Sequence, residues 1–129
     1  MIIDSSALLA ILFAGPEAAA CARAIEFAFD RRISAANFLE TAIVVDGRGD
    51  PILGRRFDEF LEQAAIVIEP VDEAQVRTAR EAYRDFGKRS GHPAQLNFGD
   101  CFAYKAQRST LAVCFASGCL FGTGIERHR

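Results

Sequence analysis

Cysteine and histidine are scarce: four and two in 129 residues. Cys21, Cys101, Cys114 and Cys119 form no CxxC pair, and His92 and His128 stand at no zinc spacing from them. That excludes a zinc centre and a disulfide framework, and it leaves these cysteines as small buried hydrophobes. No apolar run approaches the length of a membrane span. The apolar N-terminal stretch, Met1 to Gly15, carries no basic region and is interrupted by Asp4, so it is expected to be mature structure rather than a leader. Positive charge is not in excess. Fifteen basic and 17 acidic residues give a net charge of −2, so any nucleic-acid binding must come from a local patch. No Gly-rich loop follows the first apolar segment, which disfavours a nucleotide-binding or phospho-acceptor domain. Repeats, linkers and low-complexity tracts are missing as well.

What is present suits one α/β domain over residues 1–129, with an atypical Gly-rich tail at 116–129. Half of the residues are hydrophobic and 25% are charged, so a chain of this length can bury roughly two-thirds of its unfolded surface. Short strands are expected at Ile2-Ile3, Arg32-Ile33-Ser34, Ile66-Val67-Ile68 and Leu111 to Cys114. Between them lie helical patterns: Ala7 to Phe13, Ala18 to about Ala28, Ala35 to about Asp46, a segment opened by Asp50-Pro51, Asp72 to about Phe86, and Gly99-Asp100 to about Arg108. The stripe Phe38, Leu39, Ala42, Ile43 and Val45 is expected to face inward, as are Ala74, Val76, Ala79, Ala82 and Tyr83. Gly87 to Leu96 is a loop. Alternating strands and helices predict a short parallel sheet covered by helices on both faces, a three-layer fold.

Ligands of such folds bind beyond the carboxyl ends of the strands. Asp4 follows the first strand, Asp100 opens the helix before the last one, and Glu40 sits beside an apolar helical stripe. Singly, Asp4 and Asp100 suit helix N-caps, and Glu40 suits a half-exposed helix position. Together they repel: two charges about 4 Å apart cost about 4 kcal/mol at an effective dielectric of about 20. A hard divalent cation, Mg²⁺ or Mn²⁺, removes that cost and supports phosphodiester cleavage.

The segments MIIDSSALLAIL, ISAANFLETAIVV, GRRFDEFLEQAAIVIEPVD, YRDFGK and LNFGDCFAY closely resemble PIN-domain toxins of the VapC family, in one register from residue 1 to about 110. The resemblance implies a PIN-like fold and a Mg²⁺- or Mn²⁺-dependent endoribonuclease that leaves 5′-phosphate and 3′-hydroxyl ends. It carries the metal ligands over to Asp4, Glu40 and Asp100. Ser6 matches the hydroxyl supporting the first acid, and Asn97 the polar residue one turn before the third. A VapB-type antitoxin, a homodimer and a cytoplasmic location are implied too. The tail departs from the pattern: Gly118, or its neighbour Cys119, stands where the family carries a fourth acid. Two functions are therefore in play. One is a metal-dependent endoribonuclease toxin, its activity reduced by the missing acid. The other is a weakened or inactive PIN-fold module that retains antitoxin binding.

Arg31-Arg32, Arg48, Arg55-Arg56 and Lys88-Arg89 are the basic clusters. Lys88 and Arg89, in the longest loop, are the favoured RNA-phosphate contacts. His92 is read as a loop residue, Tyr83 and Tyr104 as core or dimer-interface side chains, and Phe27 and Phe29 as candidates for a partner groove.

Overall fold

Two strands of this chain run straight into helices, because the residue at the strand's end also caps the helix. A computed structural model describes residues 1–107, and the backbone of two further strands at 113–115 and 118–120. Strand β1 (Ile2–Ile3) runs into helix α1 (Ser5–Leu12) through Asp4, whose carboxylate accepts the Ser6 N–H at 2.9 Å. Helix α2 (Ala18–Phe27) follows. Strand β2 (Arg32–Ser34) enters α3 (Ala35–Asp46), with the Ser34 hydroxyl accepting the Ala36 N–H at 3.2 Å. Helix α4 (Pro51–Gln63) is capped by Asp50 and begins with Pro51, which has no N–H to lose there. Strand β3 (Val67–Glu69) leads to α5 (Glu73–Phe86), capped by Asp72 at 2.7 Å. Helix α6 (Phe98–Gln107) and strands β4 (Val113–Phe115) and β5 (Gly118–Leu120) complete the order.

The sheet runs β3-β2-β1-β4-β5. Its first four strands are parallel, with Ile2 opposite Arg32 and Val113, and Ile33 opposite Ile68. This is the expected α/β architecture with one addition. Strand β5 lies antiparallel to β4, Cys114 opposite Cys119, inside what the sequence pattern presents as a tail. Three residues containing a glycine carry too little periodicity to announce a strand; the sheet edge supplies the partner. The rest of the expected tail lies outside the described residues, as does the side chain of Tyr104.

Two apolar clusters form. The larger joins Ile3, Leu8, Ile25, Ile33, Val45 and Phe57 from the first two strands and first four helices. The smaller joins Ala79, Ala82, Phe86, Leu96 and Cys101 across α5 and α6. Each contradicts part of the expected patterning. On α3 the buried line is Asn37, Thr41 and Val45, while Leu39 and Ile43 are exposed by 58% and 63%. On α5, Ala79, Ala82 and Phe86 are buried, but Ala74, Val76 and Tyr83 are exposed. Apolar residues occupy two adjacent faces of both helices, so periodicity alone does not choose between them. Strand β3 is an edge strand, and its Val67 and Ile68 are exposed. Helix α6 starts one residue earlier than the Gly99-Asp100 expectation.

Arg31 is a structural fastener. Its guanidinium donates to the carbonyls of Glu26 (2.7 Å), Ala28 (3.1 Å) and Ala64 (2.8 Å), which tie the ends of α2 and α4 together. These are carbonyls that a helix terminus leaves without intrahelical partners. Arg32 pairs with Asp30 and Glu69, and Arg48 stacks over the Phe13 ring at 4.5 Å. These arginines are accounted for by the fold. Arg31→Ala is expected to lower unfolding stability by about 2 kcal/mol, whereas Arg55→Ala, on an exposed helix face, is expected to change it by no more than about 0.5 kcal/mol. Urea denaturation of both variants beside the parent checks this.

Candidate active site

Asp4 is 3% exposed, a burial that an ionised carboxylate tolerates poorly. Ser6 holds it through its backbone N–H and its hydroxyl. The Asn37 side-chain amide approaches its other oxygen at 3.4 Å. Burial pushes the Asp4 pKa up to about 6; the Ser6 hydrogen bonds oppose this, and the negative charges of Asp100 and Glu40 add to it. Asp4 thus caps a helix and faces two further carboxylates.

Asn37 is the hub, and it is absent from the residues expected to support the site. Fully buried on α3, it donates from Nδ2 toward Asp4 (3.4 Å), the Ser5 hydroxyl (3.1 Å) and the Gly99 carbonyl (3.2 Å). Ser5 and Thr41 donate in turn to its backbone carbonyl. Its side-chain oxygen, Oδ1, is buried without a hydrogen-bond partner among the described residues. The signal was in the sequence, since Asn37 precedes Glu40 by three residues and so shares its helix face.

Gly99 makes room for Glu40. A Cβ on Gly99 would lie 2.6 and 2.9 Å from the two Glu40 carboxylate oxygens and 2.9 Å from Asn37 Nδ2. Beside it, Asn97 and Asp100 cap α6 reciprocally: the Asn97 N–H donates to Asp100 Oδ2 and the Asp100 N–H to Asn97 Oδ1, both at 2.9 Å. Burial raises the Asp100 pKa, the Asn97 N–H opposes the shift, Glu40 adds to it, and Lys88 lowers it.

The fold therefore brings Asp4, Glu40 and Asp100 within electrostatic range of one another, from three separate segments, with Ser6, Asn37 and Asn97 against them. Among the described residues, no three acidic, His or Cys groups are drawn up as they stand to hold an ion. Asp4 and Asp100 each have an oxygen engaged by a backbone N–H. The donor chemistry nevertheless fits a hard cation: carboxylates, a hydroxyl and an amide oxygen without a partner among the described residues. Lys88 is close enough to Asp100 to affect it; Arg89 is exposed and has no such effect among the described residues. His92 takes the Ala94 N–H on Nδ1 at 3.1 Å and packs edge-on against Phe86, a loop role. Gly118 and Cys119 fall in β5; their side chains lie outside the described residues.

A PIN-domain family model matches residues 1–114. The chain is 49% identical over 128 residues to ribonuclease VapC28 of Mycobacterium tuberculosis, covering 98% of this chain and 96% of that protein. The same figures hold for VapC ribonuclease Mb0625 of Mycobacterium bovis. Ribonuclease VapC42 of M. tuberculosis is 39% identical over 110 residues, covering 85% of this chain and 84% of that protein.

The raised Asp4 pKa has a definite consequence for stability. The folded state holds the Asp4 proton up to about pH 6 and the unfolded state only to 3.8, so stability falls as pH rises through that window. Asp4→Asn keeps a capping oxygen and removes the charge. In chelator, this variant is expected to be more stable than the parent at pH 7.5, by on the order of 2–3 kcal/mol, and the difference is expected to shrink by pH 4.5. Chemical denaturation at the two pH values measures it.

Proposed function

The chain belongs to the PIN-domain family, among the VapC ribonuclease toxins, and from this premise we propose that it is a Mg²⁺- or Mn²⁺-dependent endoribonuclease whose metal is held by Asp4, Glu40 and Asp100. The observation that carries the proposal is the meeting of three segments at Asn37: its amide reaches Asp4 and the Gly99 carbonyl, Gly99 lies against the Glu40 carboxylate, and Asp100 caps the same turn. A divalent cation bound there supplies a water of lowered pKa and neutralises charge on the phosphate. The chain's own residues do the rest. Ser6 and Asn37 orient Asp4. The reciprocal cap with Asn97 fixes Asp100 on the first turn of α6. Gly99 leaves the space in which the Glu40 carboxylate sits. Lys88, and Arg89 beside it in the loop, contact RNA phosphate as it approaches the acids.

A VapB-type antitoxin, homodimerisation and a cytoplasmic setting complete the proposal. Family membership supports the antitoxin. So does the exposure of Phe27, the last residue of α2, and of Phe29 beyond it, 80% and 109%, which suits an apolar partner surface. Among the described residues no helix is long and apolar enough to cross a membrane. A second reading, a PIN-fold module with a weakened or inactive nuclease that retains antitoxin binding, is favoured by the sequence of β5. Gly118, Cys119 and Leu120 include no acid.

Purified, antitoxin-free protein is expected to fragment pooled cellular RNA only when Mg²⁺ or Mn²⁺ is added. Asp100→Asn is expected to lose that activity about a hundredfold or more. A folded parent that leaves the RNA intact at every metal concentration establishes the second reading instead. Gly99→Ala tests the packing: its Cβ displaces Glu40 and the buried Asn37 amide, so cleavage is expected to fall about 10- to 100-fold and stability by about 1–3 kcal/mol. Unfolding curves and initial rates on the same preparation separate the two effects.

A further inference from the structure

A groove of about 450 Å³ opens between α5 and α6 beside the carboxylate pocket. Its walls are largely apolar, and Tyr83, Phe98 and Phe102 supply aromatic rings. Tyr83 packs against Gly87 so closely that a Cβ there would meet the ring at 2.8 Å, yet the residue remains 42% exposed. Phe98 is 65% exposed, with its ring held edge-on to Phe102 at 5.1 Å between centroids. Arg80 and Lys88 line the same groove, and neither forms an ion pair among the described residues. Asn97 joins the two sites: it lines the groove and caps Asp100.

We propose that this groove is a nucleotide subsite. It takes one unpaired base of the RNA against Tyr83 and Phe98, with the neighbouring phosphates on Arg80 and Lys88, next to the bond that is cut. The argument rests on the ribonuclease reading above and adds how the substrate is gripped. Exposed aromatic side chains offer faces on which any base can stack, while paired bases within a duplex stay covered by their neighbours. Unpaired cations at the rim of an apolar groove suit a ligand that is flat and apolar at one point and anionic at the next. Continuity through Asn97 places that ligand beside Asp100. The expected substrate is accordingly single-stranded RNA or a loop.

Binding is measured in excess chelator, by fluorescence anisotropy of a short labelled single-stranded RNA and of the same strand in a duplex. The parent is expected to prefer the single strand. Tyr83→Ala and Phe98→Ala are each expected to weaken it about tenfold, with Tyr83→Phe restoring parental affinity because the ring face is retained. Arg80→Ala is expected to reduce the slope of log affinity against log salt by about 1. Unchanged affinity in both aromatic variants overturns the proposal, as does a parent that prefers the duplex. A change from dimer to monomer in sedimentation of Tyr83→Ala, with RNA affinity intact, overturns it too and assigns the groove to a second copy of the chain. Because the assay needs no cleavage, it separates the two claims. A parent that cleaves RNA but shows no effect of Tyr83 loses only the subsite, and one that binds as expected but never cleaves loses only the nuclease.

Discussion

Negative charge held out of water is the constraint around which this molecule is arranged. Asp4 is almost completely buried, and Asp100 and Glu40 add repulsion to a carboxylate that burial already disfavours. The protein offers partial relief through N–H groups: Ser6 for Asp4, Asn97 for Asp100, and the Asn37 amide in between. Such bonds stabilise a carboxylate without cancelling its charge. Both aspartates consequently remain raised in pKa, and in the reading proposed above a cation supplies the rest.

The topology makes this arrangement cheap to build. A parallel sheet aligns the carboxyl ends of its strands, and each helix that follows needs a capping acceptor there. Asp4 and Asp100 are capping acceptors first, and their positions are set by the backbone they cap. Of the three acids only Glu40 comes from a helix interior, three residues after Asn37 on α3, and it depends on the missing side chain of Gly99 for its place. Asn37 ties the three segments together through Ser5, Asp4 and the Gly99 carbonyl. The groove between α5 and α6 extends the same neighbourhood with aromatic surface and two cations.

Much of this was legible in the sequence, for reasons that differ by residue. Capping residues announce themselves locally, so the helices that begin after Ser34, Asp50 and Asp72 were legible; the first was expected from Ala7, whereas Asp4 caps it and Ser5 already lies within it. The four parallel strands followed from short apolar runs set between those helices. Asp4, Glu40 and Asp100 stood out because carboxylates beside apolar stretches need an explanation. Asn37 stood in the sequence one helical turn before Glu40, but its part as the link between three segments became visible only in space. Tyr83 and Leu39 were misplaced because a helix with two apolar faces does not say which one meets the core. Strand β5 escaped because its pairing, not its composition, makes it a strand. Arg31 resembled a nucleic-acid contact and proved to be a clasp, since three carbonyls from two helix ends converge on it.

The central claim is that the buried acids share a cation, and thermal unfolding during a Mn²⁺ titration tests it most directly. A ligand that binds only the folded state raises the melting temperature in proportion to its saturation. The account predicts a saturable rise for the parent, larger at pH 7.5 than at pH 5.5 because the acids must ionise to bind, and its loss in Glu40→Gln. A melting temperature indifferent to Mn²⁺, or an equal rise in Glu40→Gln, would contradict it.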